Sequence, residues 1–193
     1  MLGLKSNTPA SWVKIAENNL QQLLSDHAFA EQKAAAAAMS LIIGYSEDSD
    51  LVTKMQSIAL EEIEHFGRVH KIIVDRGMTL LQDQRNAYAK HLFNFFDKTK
   101  DRTQSLVNRL LISALIEARS CERFKMLSLY LKDTELAAFY KDLLASEAGH
   151  HTLFLGLARS YESKEIVSNK WEALTTYEAA YINKLGKTAL VHG

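Results

Sequence analysis

The sequence contains very little that interrupts a helix. Its 193 residues include one proline and eight glycines, the two residue types that most often end or kink helices. It also lacks the alternation of apolar and polar residues and the Asn-Gly turns that mark strands and hairpins. We therefore expect an all-α protein built from long helices.

Three further absences limit location and partners. Cys121 is the single cysteine, so no disulfide can form within the chain, and a reducing compartment is expected. The longest strongly apolar run, residues 34–45, is too short to span a bilayer, and the N-terminus lacks the pattern of an export signal. The formal net charge is +0, so overall charge indicates no nucleic-acid or membrane partner. We expect one soluble cytoplasmic domain, residues 1–193, with no membrane partner.

Helical periodicity predicts four long helices and two further ones. The first follows Thr8 as a cap, has Pro9 as its first residue, and runs with one break to about Tyr45. The second ends at Gly77. The remaining predicted ranges are 50–76 for the second helix, a short piece within 86–96 of a long connection, 103–131, 134–161 and 164–187.

Each long helix carries a glutamate near the centre of its apolar seam, where the spacing alternates between three and four residues. These are Glu31 in the first helix, Glu62 followed by His65 in the second, Glu117 in the third, and Glu147 followed by His150 in the fourth. The two glutamates of each helix pair are 31 and 30 residues apart. The sequence therefore reads as two similar helical hairpins, each offering Glu and then Glu-x-x-His.

Four carboxylates in apolar surroundings need compensating positive charge, because each unpaired buried charge costs several kcal/mol. Two divalent cations would supply it, and residues three apart on a helix can reach one ion. Oxygen-rich ligation with one histidine per metal suits iron or manganese better than zinc. We therefore predict a dimetal site with the ligands Glu31, Glu62, His65, Glu117, Glu147 and His150.

Several neighbouring residues compete with this ligand set or border it. Glu122 is the rival of Glu117, and His151 that of His150, but the symmetry of the two hairpins favours the six ligands above. His27 is either a core histidine with a hydrogen-bond partner or a residue that supports the site. Small seam residues such as Ser120 either leave room for substrate or let helices approach. Cys121 is expected to be a packed thiol.

Four segments also resemble a known family: DHAFAEQKAAAAAMSL, ALEEIEHFGRV, LIEARSCERF and FYKDLLASEAGH. They are similar to the MiaE family of bacterial tRNA hydroxylases. The resemblance implies a ferritin-like four-helix bundle with a long crossover connection and an additional C-terminal helix, and the same six ligands holding two irons. It also implies O2-dependent hydroxylation of the isopentenyl chain of 2-methylthio-isopentenyl-adenosine beside the anticodon, with electrons from an external electron-transfer protein or reductase.

A tRNA partner requires cationic contacts to phosphate. Candidates are Lys98, Lys100 and Arg102, then Arg68, Arg85 and Lys90, although the acids interleaved at 97 and 101 favour an ordinary solvated surface. Two other classes stay open: an iron-binding oxidase or storage protein of the ferritin or rubrerythrin kind, and a structural bundle without metal. A rubrerythrin carries a cysteine-rich module that this sequence lacks. The sequence leaves the oligomeric state open.

Overall fold

A computed structural model describes residues 2–83, 87–185 and 188–192. In this part of the chain every regular element is a helix, as predicted. The helices are α1 (Ser11–Asn18), α2 (Leu20–Gly44), α3 (Ser49–Asp75), α4 (Ala87–Phe93), α5 (Arg102–Tyr130), α6 (Thr134–Tyr161) and α7 (Lys164–Leu185). Within the described ranges, no helix is both long and apolar enough to cross a membrane.

Most predicted helix boundaries agree with the structure to within two residues, but the start of the first helix does not. Helix α1 begins at Ser11, and the amide and hydroxyl of Thr8 both donate to the Glu122 carboxylate at 2.6 Å. Thr8 therefore does not cap α1, and the predicted cap is wrong because a tertiary contact uses the same groups. The predicted break lies at Asn19, whose φ of −133° and ψ of 44° are not helical.

Aspartate caps explain where three of the long helices begin. The side chain of each capping residue accepts a hydrogen bond at 3.0 Å from the amide three residues later. This satisfies one of the amides that a helix start leaves without a partner. The caps are Asp48 for α3, Asp101 for α5 and Asp133 for α6.

Glycine ends α3 as the sequence predicts. Gly77 has a φ of 67°, a conformation that residues with a Cβ rarely adopt. Its amide donates to the carbonyl of Val74 at 2.9 Å, and the Met78 amide donates to that of Ile73 at 3.0 Å. These two bonds form a Schellman motif, which satisfies the last carbonyls of the helix.

The chain divides into two compact units. One contains α2 and α3, which a short turn joins as an antiparallel hairpin. The other contains α1 and α4 to α7, and its α5 and α6 form a second hairpin. The prediction of a single domain stays a prediction.

The apolar seams predicted for α2 and α3 are buried over most of their length. Two positions differ: the spacing of threes and fours predicts Ala34 and Ile72 on the seams, but Ala35 and Ile73 are the buried residues there. A straight helix has 3.6 residues per turn, so a face spaced by threes and fours drifts around the helix. The drift leaves the centres of the seams, where the glutamates lie, unchanged.

Arg119 joins α5 to α7 inside the second unit. Its Nε and Nη2 donate to the two oxygens of Glu178 at 2.8 and 2.9 Å, and its Nη1 donates to Glu122 at 3.0 Å. Tyr88 donates to the same Glu178 carboxylate at 3.0 Å. Burial alone would lower the pKa of Arg119, but the hydrogen bonds and charge of Glu178 raise it above its usual value. The guanidinium therefore stays charged and neutralises a buried acid.

Replacing Arg119 tests this ion pair. Arg119→Met leaves the Glu178 carboxylate buried without its main counter-charge, and such a loss typically lowers the free energy of unfolding by about 3–5 kcal/mol. Denaturant titration measures the change. The double variant Arg119→Met/Glu178→Leu should be more stable than the single variant, because the fully buried carboxylate is removed together with its counter-charge. Equal stability of Arg119→Met and the wild type would contradict this account.

Candidate metal centre

Helices α2 and α3 bury three of the predicted ligands. Glu31, Glu62 and His65 are 5%, 0% and 5% exposed. Each offers a ligand atom, and these atoms lie within 4.8 Å of one another. The Nδ1 of His65 is 3.6 Å from an oxygen of Glu62 and 4.0 Å from an oxygen of Glu31. This half of the predicted ligand set is therefore gathered in one place.

His27 contacts one of these ligands directly. Its Nε2 lies 2.6 Å from Oε1 of Glu31, one helical turn away, and the imidazole is fully buried. The imidazole is the donor, since a carboxylate that is ionised can only accept. His27 is therefore a core histidine with a hydrogen-bond partner. Because that partner is the predicted ligand Glu31, a supporting role at the site stays a prediction.

Helices α5 and α6 bury the other three predicted ligands. Glu117, Glu147 and His150 are 4%, 1% and 3% exposed. Ligand atoms of Glu117 and His150 lie within 4.8 Å of each other. Glu147 precedes His150 by three residues on α6, as Glu62 precedes His65 on α3. The two hairpins thus bury the same kinds of side chain at matching places.

The two rival residues have other partners. Glu122 accepts hydrogen bonds from Thr8 and Arg119. His151 places its Nδ1 2.9 Å from the carbonyl of Ala114, and its ring lies 5.5 Å from that of Trp171. Burial lowers the pKa of His151, which keeps the imidazole neutral at pH 7. These contacts favour Glu117 and His150 as ligands, although the ligand set itself stays a prediction.

One contact of the small seam residue Ser120 could not be found from the sequence. The Nε2 of His192 lies 2.9 Å from the hydroxyl of Ser120, and its ring stacks on Tyr88 with centroids 5.4 Å apart. Side-chain atoms from near the chain end therefore occupy space beside Ser120. A lone histidine outside any periodic segment carries no signal that would place it there.

The candidate RNA-binding cations occupy varied positions. Lys98, Lys100 and Arg102 are exposed at the start of α5 and in the segment before it, and Lys90 is exposed on α4. Arg68 is half-buried on α3. Arg85 lies outside the described residues.

The donor set fits a divalent transition metal. Each hairpin supplies carboxylates and one imidazole, a combination that suits iron or manganese. Acids buried in helix pairs are stable when positive charge lies beside them. The fold and these groups together favour an iron-binding protein.

An all-α chain whose paired helices bury Glu and Glu-x-x-His is typical of the ferritin-like carboxylate proteins. A solved structure supports this class: the chain resembles a Synechococcus protein with aldehyde deformylating oxygenase activity, with a TM-score of 0.90 and 31% identity, covering 98% of this chain and 95% of that one. The predicted ferritin-like fold is confirmed.

The particular family follows from the sequence comparison. The profile of the MiaE family, tRNA-(ms2io6A)-hydroxylase, matches residues 2–193, and the chain belongs to this family. Two relatives are named tRNA 2-(methylsulfanyl)-N(6)-isopentenyladenosine(37) hydroxylase. The relative from Pseudomonas putida is 37% identical, covering 91% of this chain and 84% of its own length. The one from Salmonella typhimurium is 28% identical, covering 82% and 76%.

The reactivity of Cys121 tests how well its thiol is shielded from solvent. Burial, helped by the charge of Glu147, raises the pKa of the thiol to about 12. At pH 8 the thiolate is the reactive form, so alkylation of the native protein by iodoacetamide should be roughly a thousandfold slower than that of a free cysteine. The rate should keep rising beyond pH 10. A rate that levels off near pH 9 in the native protein would contradict this, and the denatured protein serves as the reactive control.

Proposed function

We propose that this protein uses O2 to hydroxylate the isopentenyl chain of 2-methylthio-isopentenyl-adenosine in tRNA, next to the anticodon. The family match over residues 2–193 and the names of both curated relatives support this assignment. Its cofactor is a pair of iron ions, and manganese suits the same donors. An external electron-transfer protein or reductase supplies electrons.

The observation that carries the proposal is the burial of the same donor groups in both hairpins. Glu31, Glu62 and His65 converge in one, and Glu117 and His150 converge in the other. We propose that these five residues and Glu147 are the ligands of one two-iron site. Four carboxylates balance the charge of two divalent ions, and two neutral imidazoles add donors without charge.

The protein's own residues do three things in this reaction. When bound, the iron pair activates O2 and supplies the oxidising power for the C–H bond. The six ligands hold the metals, and His27 orients Glu31 through the 2.6 Å contact. Leu110 and Phe124 on α5 and Leu143 on α6 are fully buried apolar neighbours along the same seams. They keep the interior of this hairpin dry, which protects a reactive centre from side reactions.

Metal-dependent stability tests the ligands without relying on activity. Metal that binds only the folded protein stabilises it, and at a hundred times Kd the gain is about 2.7 kcal/mol, or roughly 5–10 °C in Tm for a chain of this size. Adding Mn2+ or anaerobic Fe2+ should raise the Tm of the wild type by this amount. Elemental analysis should find about two metals per chain.

Single ligand variants should lose this response. Glu62→Ala and Glu117→Ala remove one carboxylate from each half, so the metal-induced rise in Tm should fall to a small fraction of its wild-type size. Glu61→Ala and Glu64→Ala are matched controls, because these acids lie off the buried seam of α3. The ligand set would be wrong if all four variants responded to metal as the wild type does.

The substrate is tested in cells. Deleting the gene should abolish the hydroxylated form of the prenylated adenosine and leave its unhydroxylated precursor to accumulate, because no later step then consumes it. Mass spectrometry of tRNA nucleosides measures both. Re-expression of the wild type should restore the product, whereas Glu117→Ala should not. An unchanged nucleoside profile after deletion would refute the assigned substrate.

A further inference from the structure

A band of aromatic rings lies between α4 and α7. The imidazole of His91 stacks on Tyr177 and on Tyr181, with ring centroids 4.3 and 3.9 Å apart. Phe95 lies 4.9 Å from Tyr177 and 4.8 Å from Phe96. All five rings are half-buried, so each keeps part of its surface in contact with solvent. The rings form one continuous, partly exposed band.

Cations border this band. The ammonium of Lys170 lies 5.5 Å from the centre of the Phe96 ring and donates to Asn108 at 2.7 Å. Burial lowers the pKa of Lys170, and the charges of Glu162 and Asp101 act in the opposite direction. Three exposed cations follow Phe96 in the chain. We call this set of residues the aromatic–cationic face: His91, Phe95, Phe96, Tyr177, Tyr181, Lys98, Lys100, Arg102 and Lys170.

The acids within this segment cancel its charge only in part. Asp97 is exposed, but the side chain of Asp101 accepts from the Gln104 amide at 3.0 Å as the cap of α5. The partial positive charge at the N-terminal end of α5 therefore offsets the charge of Asp101. Lys98 and Lys100 are exposed and follow half-buried Phe96 by two and four residues in the chain.

We propose that the aromatic–cationic face binds the single-stranded anticodon loop of the tRNA substrate. The inference rests on the proposed function. Unpaired bases stack on aromatic side chains, while lysine and arginine contact the phosphates. A loop presents both groups at once, and the face offers a partner for each. An acidic protein would use the cations and leave the rings without a role.

The position of the face suits this role. Lys170 donates a hydrogen bond to Asn108, which lies nine residues before Glu117 on α5. At 1.5 Å per residue, the two positions are about 14 Å apart along the helix axis. One rigid helix thus carries a contact of the face and a candidate iron ligand. A loop held at the face is therefore held at a fixed distance from Glu117.

Binding of a labelled anticodon stem–loop tests the face. The probe carries 2-methylthio-isopentenyl-adenosine, and fluorescence anisotropy gives Kd over a range of salt concentrations. Lys98→Gln/Lys100→Gln should raise Kd about tenfold or more and lower the slope of log Kd against log salt by about one per cation removed. Phe95→Leu should raise Kd about tenfold and leave the slope unchanged, because stacking carries no charge.

Matched variants keep the result interpretable. Lys125→Gln/Lys141→Gln removes two exposed charges from α5 and α6, away from the face, and should bind as the wild type does. Circular dichroism and Tm should show each variant to be folded. If the face variants bind RNA like this control, the inference is overturned, while the hydroxylase assignment stands on the nucleoside analysis.

Two other outcomes also overturn the inference. In one, the face variants bind RNA normally but accept electrons more slowly from an acidic electron-transfer protein, which assigns the face to that partner. In the other, the wild type itself fails to bind the stem–loop at low salt. The nucleoside profile then decides the proposed function separately, because it does not depend on which surface binds tRNA.

Discussion

Buried negative charge is the constraint on which the structure depends. Glu178 is fully buried and receives two hydrogen bonds from the Arg119 guanidinium, so its charge is cancelled within the protein. Glu31 instead has the imidazoles of His27 and His65 beside it. Buried Glu178 thus has a fixed cation as its partner, whereas the predicted ligand Glu31 has imidazole nitrogens, which can also bind a metal.

Much of this arrangement is readable in the sequence because both signals are local. Scarce proline and glycine leave α6 uninterrupted from Thr134 to Tyr161, the range that the periodicity predicts. A glutamate such as Glu147 in the middle of an apolar seam stands out because it breaks the pattern of its own helix. The match between the two hairpins then predicts which acids belong together, although it gives no distances.

The rest could not be predicted because it depends on contacts between distant parts of the chain. Thr8 looks like a helix cap by every local rule, yet it bonds to Glu122, 114 residues away. Arg119 and Glu178 are 59 residues apart, and Ser120 and His192 are 72 apart. No periodic pattern connects such pairs. Only the fold shows that Glu122 accepts hydrogen bonds from Thr8 and Arg119, and that His192 lies beside Ser120.

The candidate ligands and the aromatic–cationic face lie on different kinds of structural element, which is one way in which one fold can support different substrates. The candidate ligands lie within long helices, where the backbone is rigid and ligand positions are well defined. The rings and cations of the aromatic–cationic face lie largely on short α4 and the segment before α5, where exposed groups can change without disturbing a helix. A structure with a TM-score of 0.90 to this chain is named for aldehyde deformylating oxygenase activity, so the fold alone does not select the substrate. Selection must therefore depend on side chains and not on the helical framework alone.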